Sequence, residues 1–267
     1  MAVRDSFTPG RPSRTLTNLV LLVGIASFIA WLGSRDRGPN NDEDPAADLS
    51  AIERDLTPPA GGAAPREGIA AIVLMDVSGS MADSVKGANG PPRPKIEIAR
   101  EAARALVGQF AAYAAAHPDE PVLVGLLEFS DRPPSATREV IPLSPANPAR
   151  ADEALARLRP DGGTPIGDAI VEGKRALDRS GLTRRHLLVV TDGENTEGRE
   201  PEDVMRALSR RPEQERPSVY FVAFDIAASR FDAVRAAGGL VLAAANAEEL
   251  DKTLGALLSG RILVEGP

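Results

Sequence analysis

The sequence predicts an α/β fold: a doubly wound, mostly parallel six-stranded sheet with helices on both faces, preceded by a single N-terminal transmembrane helix. Short, unbroken apolar runs alternate with segments whose apolar residues recur every three or four positions. This alternation is typical of buried parallel strands and amphipathic helices. Several of the apolar runs end in Asp, Ser or Thr. Open α/β sheets hold their ligands at the carboxyl ends of their strands, so these polar residues mark a candidate site.

Composition excludes several classes of function. The chain has 267 residues, of which 43% are apolar and 26% charged, so one sizeable core can form. The net charge of -7, with no basic stripe beside aromatic residues, argues against nucleic-acid binding. The absence of cysteine excludes disulfides, thiolate nucleophiles and zinc–thiolate sites. Imidazole chemistry has only His117 and His186 available.

The amino-terminal segment is predicted to lie outside the fold. Residues 1–14 form a short tail and residues 15–34, which include no ionisable side chain, form a transmembrane anchor. Twenty helical residues cover about 30 Å, the thickness of the hydrocarbon core. A cleaved signal peptide is the alternative, but bulky residues stand where a cleavage site needs small ones. More arginines precede the span than follow it: Arg4, Arg11 and Arg14 against Arg35 and Arg37. This weak bias predicts a cytosolic tail and a domain on the outer, periplasmic or extracellular side.

Residues 35–66 are predicted to be a flexible linker, rich in Pro, Gly, Asp and Glu, with a helical turn considered at 49–56. Such a segment has little apolar surface to offset the entropy lost on ordering. The remaining residues, 67–267, form the predicted domain.

The elements of this domain follow from its apolar patterns. Buried strands are predicted at 69–75, 121–129, 187–191, 219–224 and 240–243. The turn before 137–143 is too short for a parallel crossover, so that segment is predicted to be an antiparallel edge strand. Helices are predicted at 95–117, 152–158, 166–177, 201–208, 230–237 and 247–258, and a loop at 86–94.

The first strand runs into the sequence Asp76-Val-Ser-Gly-Ser80. Asp76, Ser78 and Ser80 alternate, and a tight turn at Gly79 would point their three oxygens at one spot. The alternative is a turn in which these side chains bond only local backbone groups.

Two further polar residues fall at the same edge of the predicted sheet. Thr164 precedes Pro165 and a helix, which a simple helix cap would also explain. Asp192 follows the strand at 187–191. Its Asp-Gly sequence suggests a hairpin, but the next element is a helix, so a returning strand is excluded.

With these residues in place, the sequence over about 68–258 resembles the von Willebrand factor A (VWA) domain family, whose fold integrin I domains share. The matching motif is the metal-ion-dependent adhesion site (MIDAS), present in order as Asp76, Ser78, Ser80, Thr164 and Asp192. The resemblance implies a strand order of 3-2-1-4-5-6 with the third strand antiparallel. It also implies a divalent metal bound by these five side chains, directly or through water, and a protein partner that presents Asp or Glu to the metal.

Hydroxyl and carboxylate oxygens suit Mg²⁺ or Mn²⁺, with Ca²⁺ as a further candidate. Three of the five ligands are neutral, which keeps the ion electrophilic and leaves a position for an outside anion. Asp168 and Glu194 lie near the ligand loops but match no metal position, so we interpret them as solvated or outer residues. Asp225, at the end of another strand, is interpreted as a helix cap.

Enzymatic alternatives fit less well. A metal-dependent phosphohydrolase of doubly wound fold needs a second carboxylate two positions after the first, where Ser78 stands. A serine hydrolase needs a base near Ser78 or Ser80, and neither histidine is expected there. No GxxxxGK[ST] phosphate loop occurs. We therefore expect no catalysis.

A VWA subunit of a chelatase or other ATPase assembly is the remaining alternative. The predicted anchor argues against it, because such a subunit works in the cytosol. Membrane proteins of the aerotolerance type carry a second span after the domain, which this sequence does not show, so we do not expect that type.

Overall fold

Six strands form the central sheet. They belong to a computed structural model, which describes residues 45–59, 64–86 and 91–264. The sheet strands are β1 (Arg66–Asp76), β4 (Val122–Phe129), β5 (Thr137–Pro145), β6 (Leu182–Thr191), β7 (Ser218–Phe224) and β8 (Leu240–Ala244). Their order across the sheet is β5-β4-β1-β6-β7-β8. A separate antiparallel pair of two-residue strands consists of β2 (Ser84–Val85) and β3 (Arg93–Pro94).

Helices cover both faces of the sheet. They are α1 (Pro45–Asp55), α2 (Lys95–Ala116), α3 (Pro148–Leu155), α4 (Ile166–Asp178), α5 (Pro201–Ser209), α6 (Asp232–Ala236) and α7 (Ala247–Leu257). Short 3-10 segments lie at Gly79–Ala82, Glu213–Glu215 and Ala228–Phe231, and a π-helical turn, Leu258–Ile262, follows α7.

The pairing confirms the predicted topology. β1 lies parallel to both β4 and β6, while β5 is antiparallel to β4. Taken in chain order, the sheet strands therefore run 3-2-1-4-5-6 with the third reversed. In register, Asp76 stands opposite Phe129, and Met75 opposite Val190. The carboxyl ends of β1, β4 and β6 thus lie side by side.

The core has two layers, one on each face of β1. Ile69, Ala71, Val73 and Met75 pack into one layer with buried residues of α2, α3 and α7. Ala70, Ile72 and Leu74 pack into the other with residues of α1, α4, α5 and α6. Both alternating sets are buried, which explains why the strand is an unbroken apolar run.

Element boundaries differ from the predictions in two instructive places. β6 begins at Leu182, because polar residues such as Arg184 pair with β1 at its start, whereas the apolar pattern predicts only 187–191. α3 begins at Pro148, because the Asn147 side chain accepts a hydrogen bond of 3.0 Å from the backbone of Arg150. The predicted helix at 152–158 therefore starts four residues too late.

The predicted flexible linker is wrong over residues 45–57. This segment contains α1, whose Ile52 and the following Leu56 are buried in the second core layer. Asp55 also accepts a hydrogen bond of 2.8 Å from Arg175 of α4. Two apolar residues four positions apart, together with ion pairs from Asp55 to Arg175 and Arg199, anchor a helix that its composition does not predict.

The predicted tail at 1–14 and anchor at 15–34 lie outside the described residues. Among the residues that are described, no helix combines the length and apolarity needed to cross a bilayer.

Candidate functional site

The loop that follows β1 begins with a fully buried carboxylate, Asp76. Its Oδ1 accepts a hydrogen bond of 2.8 Å from the backbone N–H of Ser78, and its Oδ2 accepts one of 2.6 Å from the hydroxyl of Thr191. Burial raises the pKa of Asp76 to about 6, although these hydrogen bonds act in the opposite direction. Asp76 is thus held in one orientation by its own loop and by the neighbouring strand β6.

Ser78, Ser80 and Asp192 form a chain of close oxygen atoms. Ser78 Oγ and Ser80 Oγ lie 3.2 Å apart, and Ser80 Oγ donates to Asp192 Oδ1 at 2.8 Å. The β1 and β6 loops therefore meet through side chains as well as through strand pairing.

The loop that contains Thr164 packs against both of these loops. The backbone N–H of Gly79 donates to Gly162 O at 2.9 Å. A Cβ placed on Gly193 would lie 3.6 Å from Thr164 Oγ1 and 3.9 Å from Ser80 Oγ, so the two hydroxyls face the same glycine. Thr164 is buried, and within the described part of the chain its hydroxyl has no hydrogen-bond partner. The structure therefore brings all five predicted residues to one place.

Thr164 does not cap the helix that follows it. α4 begins at Ile166, and its cap position is Pro165, with no side-chain cap. The Ile166 N–H instead donates to Asn195 Oδ1 at 2.8 Å, and the Thr164 N–H donates to Thr196 Oγ1 at 2.8 Å. The β6–α5 loop thus satisfies the start of α4 and leaves the Thr164 hydroxyl available.

Sequence reasoning missed a lysine at this site. Lys95 is buried, and its Nζ lies 2.9 Å from Asp192 Oδ2 and 3.0 Å from Asp225 Oδ2. Burial lowers the pKa of Lys95, but the hydrogen bonds to these carboxylates outweigh it and leave the pKa above its ordinary value. The ammonium is therefore charged at neutral pH. The only signal was a lone lysine at the first position of a helix, which is common on surfaces.

Asp225 was interpreted as a helix cap, and this interpretation is wrong. The cap residue of the next 3-10 segment is Ala227, and it has no side-chain cap. Asp225 instead has a left-handed backbone, with φ of 55°, and its N–H donates to Ala244 O at 2.8 Å. Asp tolerates this conformation better than most residues. Its carboxylate forms an ion pair with the Lys95 ammonium.

The other carboxylates near the ligand loops pair with arginines. Arg199 donates to Asp168 Oδ1 at 2.7 Å, and Arg230 lies 3.0 Å from the exposed Glu194. Neither of these two carboxylates contacts the five predicted ligands through these bonds, which agrees with their interpretation as outer residues.

Neither histidine is placed to serve these serines. His186 is buried within β6, opposite Ser218 at the start of β7, with its ring stacked 6.1 Å from that of Tyr220. His117 follows the end of α2, against Tyr113. Both stand far along the strands or helices from the carboxyl edge of the sheet.

The donor set suits a hard divalent cation. It consists of two carboxylates and three hydroxyls. Such oxygen ligands match Mg²⁺ and Mn²⁺. Among the described residues, no group of three or more His, Cys, Asp or Glu side chains is arranged to hold a metal. The two Asp and three hydroxyl residues form a site of a different composition.

Comparison with known proteins agrees with this fold. Residues 71–194 match the family model described as von Willebrand factor type A domain. Among curated proteins, none matches the chain.

Solved structures share the fold at low sequence identity. A mutant of the PilB minor pilin from Streptococcus sanguinis has a TM-score of 0.58 and 15% identity, over 79% of this chain and 65% of that one. An aerotolerance-related membrane protein from Bacteroides fragilis has a TM-score of 0.53 and 18% identity, over 72% and 100%. Proximal thread matrix protein 1 from the mussel byssus, with a zinc-occupied MIDAS motif, has a TM-score of 0.53 and 14% identity, over 73% and 48%. This chain thus spans less than two thirds of the minor pilin's length, and these likenesses concern the fold alone.

Proposed function

Because the chain contains a von Willebrand factor type A domain, we propose that it is a membrane-tethered interaction protein that binds a partner through a metal. The metal would be Mg²⁺ or Mn²⁺, with Ca²⁺ as a further candidate. Its ligands would be Asp76, Ser78, Ser80, Thr164 and Asp192. The partner would supply an Asp or Glu side chain.

One observation carries the proposal: hydroxyl and carboxylate oxygens from three separate loops converge, and the Thr164 hydroxyl faces them with no hydrogen bond to any described residue. This hydroxyl is therefore available to a ligand, and hydroxyl oxygens are among the ligands of hard divalent cations. A divalent ion would accept this oxygen together with those of Ser78 and Ser80.

When bound, the ion would attract an anionic side chain at its open position. The residues of this chain orient the ligands: Thr191 and the Ser78 N–H fix Asp76, while Lys95 fixes Asp192. Because these ligands are already positioned, little entropy is lost when the metal binds.

The surrounding surface suggests a further property of the partner. Exposed carboxylates stand in the loops that frame the site: Asp83, Asp131, Asp161, Glu194 and Glu197. They would attract divalent ions but repel an isolated acidic peptide. A partner with basic residues around its central carboxylate would match both the metal and this rim.

An interaction role is favoured over catalysis. Two proteins with this fold are named as a minor pilin and as a thread matrix protein of the mussel byssus. Position 78 is a serine rather than the carboxylate of a phosphohydrolase, and the histidines lie elsewhere. A subunit of an ATPase assembly remains the alternative if the domain proves to face the cytosol.

The test is metal-dependent capture of partners by the full chain in detergent. Proteins from a membrane extract would be retained in Mg²⁺, released by EDTA, and identified. Ser80→Ala should abolish both Mg²⁺ binding in calorimetry and retention of these proteins. Ser84→Ala is the matched control, because Ser84 is exposed in β2, four positions away. Capture that is equal in EDTA, or equal for Ser80→Ala, would contradict the proposal.

A further inference from the structure

We propose that Lys95 determines which divalent ion the site accepts, by occupying one oxygen of Asp192 and thereby disfavouring Ca²⁺ against Mg²⁺. This inference rests on the proposed metal site and goes beyond it, since Lys95 belongs to none of the motif positions. The observation behind it is a buried ammonium held between two carboxylates at the site.

The two oxygens of Asp192 have different partners. Oδ1 accepts the Ser80 hydroxyl at 2.8 Å and therefore points into the ligand cluster. Oδ2 accepts Lys95 Nζ at 2.9 Å. The Asp192 side chain is fully buried, so water does not compete for Oδ2. Asp192 can therefore offer a metal one oxygen but not both.

Lys95 is fixed at both ends. Its backbone N–H donates to Asp83 O at 2.8 Å, and its Nζ also contacts Asp225 Oδ2 at 3.0 Å. Asp225 is itself held by its hydrogen bond to Ala244 in a left-handed conformation that few residues adopt. A long lysine side chain held in this way keeps its ammonium against Asp192.

Asp76 is also constrained. Both of its oxygens already accept hydrogen bonds, from Ser78 and from Thr191. Neither carboxylate is thus free to chelate an ion through two oxygens. Mg²⁺ prefers six ligands and keeps several waters, whereas Ca²⁺ takes six to eight oxygens and uses bidentate carboxylates. A site with monodentate carboxylates and neutral hydroxyls therefore favours the smaller ion.

The variant Lys95→Met removes the ammonium and keeps the length of the side chain. Calorimetry with Mg²⁺ and with Ca²⁺, on the full chain in detergent, gives the dissociation constant of each ion. We expect Ca²⁺ to bind about tenfold more tightly than to the wild type, and Mg²⁺ to gain clearly less, because only Ca²⁺ exploits the freed oxygen. Lys252→Met, an exposed lysine of α7, is the control for the loss of one positive charge.

The second variant, Asp225→Asn, strengthens the pair between Lys95 and Asp192, whereas Lys95→Met removes it. Asn keeps the left-handed backbone, but the ammonium loses one anionic partner and pairs more strongly with Asp192. Both ions should bind more weakly, with their ratio unchanged. This variant leaves the buried Asp192–Lys95 pair in place, so it stays informative if Lys95→Met does not fold.

Equal gains for both ions in Lys95→Met would mean that Lys95 acts only as a nearby positive charge, and would overturn the selectivity inference. Tighter binding of both ions by Asp225→Asn would overturn it as well. If the wild type binds Mg²⁺ and Lys95→Met has the same preference between the two ions as the wild type, this inference alone is refuted. A wild-type chain that binds neither ion refutes the proposed function too.

Discussion

Ser80 and Asp192 lie 112 positions apart in the sequence, yet the Ser80 hydroxyl donates a hydrogen bond of 2.8 Å to Asp192 Oδ1. The sheet order explains this contact, because β1 and β6 are parallel neighbours and end at the same level. The candidate site is thus a direct result of the topology: a loop after one central strand meets a loop after the next.

Metal binding should stabilise the fold. At a free Mg²⁺ concentration ten times the dissociation constant, the free energy of unfolding should rise by about 1.4 kcal/mol, because the ion binds only the folded chain. Urea denaturation in Mg²⁺ and in EDTA measures the difference. It should vanish in Asp192→Asn, which lacks one of the anionic ligands. Identical curves for the wild type in both conditions would mean that no ion binds.

The stability of the metal-free protein should depend on pH through Asp76. Its pKa is about 6 when folded, against an ordinary value of 3.8. The folded state therefore holds this proton more tightly than the unfolded state does. The contribution is fully present below pH 3.8 and is lost as the pH rises through 6, a change of about 3 kcal/mol from this group.

The measurement is urea denaturation in EDTA from pH 4 to about 7, compared between the wild type and Asp76→Asn. The wild type should lose stability relative to the variant across this window. Saturating Mg²⁺ should reduce the loss, because the ion favours the ionised carboxylate. A constant difference between the two proteins would show that Asp76 keeps its ordinary pKa.

Two glycine substitutions should act in opposite directions. A Cβ on Gly167 would lie 2.7 Å from the backbone carbonyl carbon of Arg199, so Gly167→Ala must force α4 away from the β6–α5 loop. We expect a loss of about 1–3 kcal/mol in the free energy of unfolding. Mg²⁺ affinity should also fall, because Thr164 and Asp192 belong to the two segments that separate.

Gly108→Ala is the matched control. Gly108 lies within α2, and a Cβ there would meet nothing within 4 Å. Replacing a glycine inside a helix by alanine should stabilise the protein by about 0.5–1 kcal/mol. Its Mg²⁺ affinity should equal that of the wild type. If Gly167→Ala is as stable as the wild type, the contact between α4 and the β6–α5 loop can accommodate a Cβ.

The residues of the candidate site could be predicted from the sequence better than their surroundings. Asp76, Ser78, Ser80, Thr164 and Asp192 could be found because each stands next to an element with a clear apolar pattern. The pairing of Lys95 with Asp192 and Asp225 could not, because it joins three distant positions through side-chain packing. α1 was predicted only as a helical turn at 49–56 and not as part of the domain, because its burial depends on Ile52 and the following Leu56 within a polar segment, too few residues to give a periodic signal.

The orientation of the chain in the membrane is a separate prediction. With a cytosolic tail at 1–14 and an anchor at 15–34, a reporter fused after residue 267 should be active on the outer side of the membrane. An alkaline phosphatase fusion, active only outside, and a green fluorescent protein fusion, fluorescent only inside, provide opposite readouts. Fluorescence without phosphatase activity would reverse the orientation and favour the ATPase-assembly alternative.

The last prediction concerns α1, which joins the predicted linker to the site. Ile52 and Leu56 are fully buried in the core layer that also contains residues of α4 and α5, and Asp55 pairs with Arg175 and Arg199. Arg199 also holds Asp168, in the first turn of α4, just after Thr164. α1 therefore belongs to the domain and is linked through Arg199 to the segment that carries Thr164. Ile52→Ala should lower the free energy of unfolding by about 2–5 kcal/mol, the usual loss for a buried isoleucine. Arg54→Ala, on the exposed side of the same helix, should change it by less than about 0.5 kcal/mol. Urea denaturation of both variants beside the wild type makes the comparison. Equal stability of all three proteins would return residues 45–57 to the flexible linker that composition alone predicts.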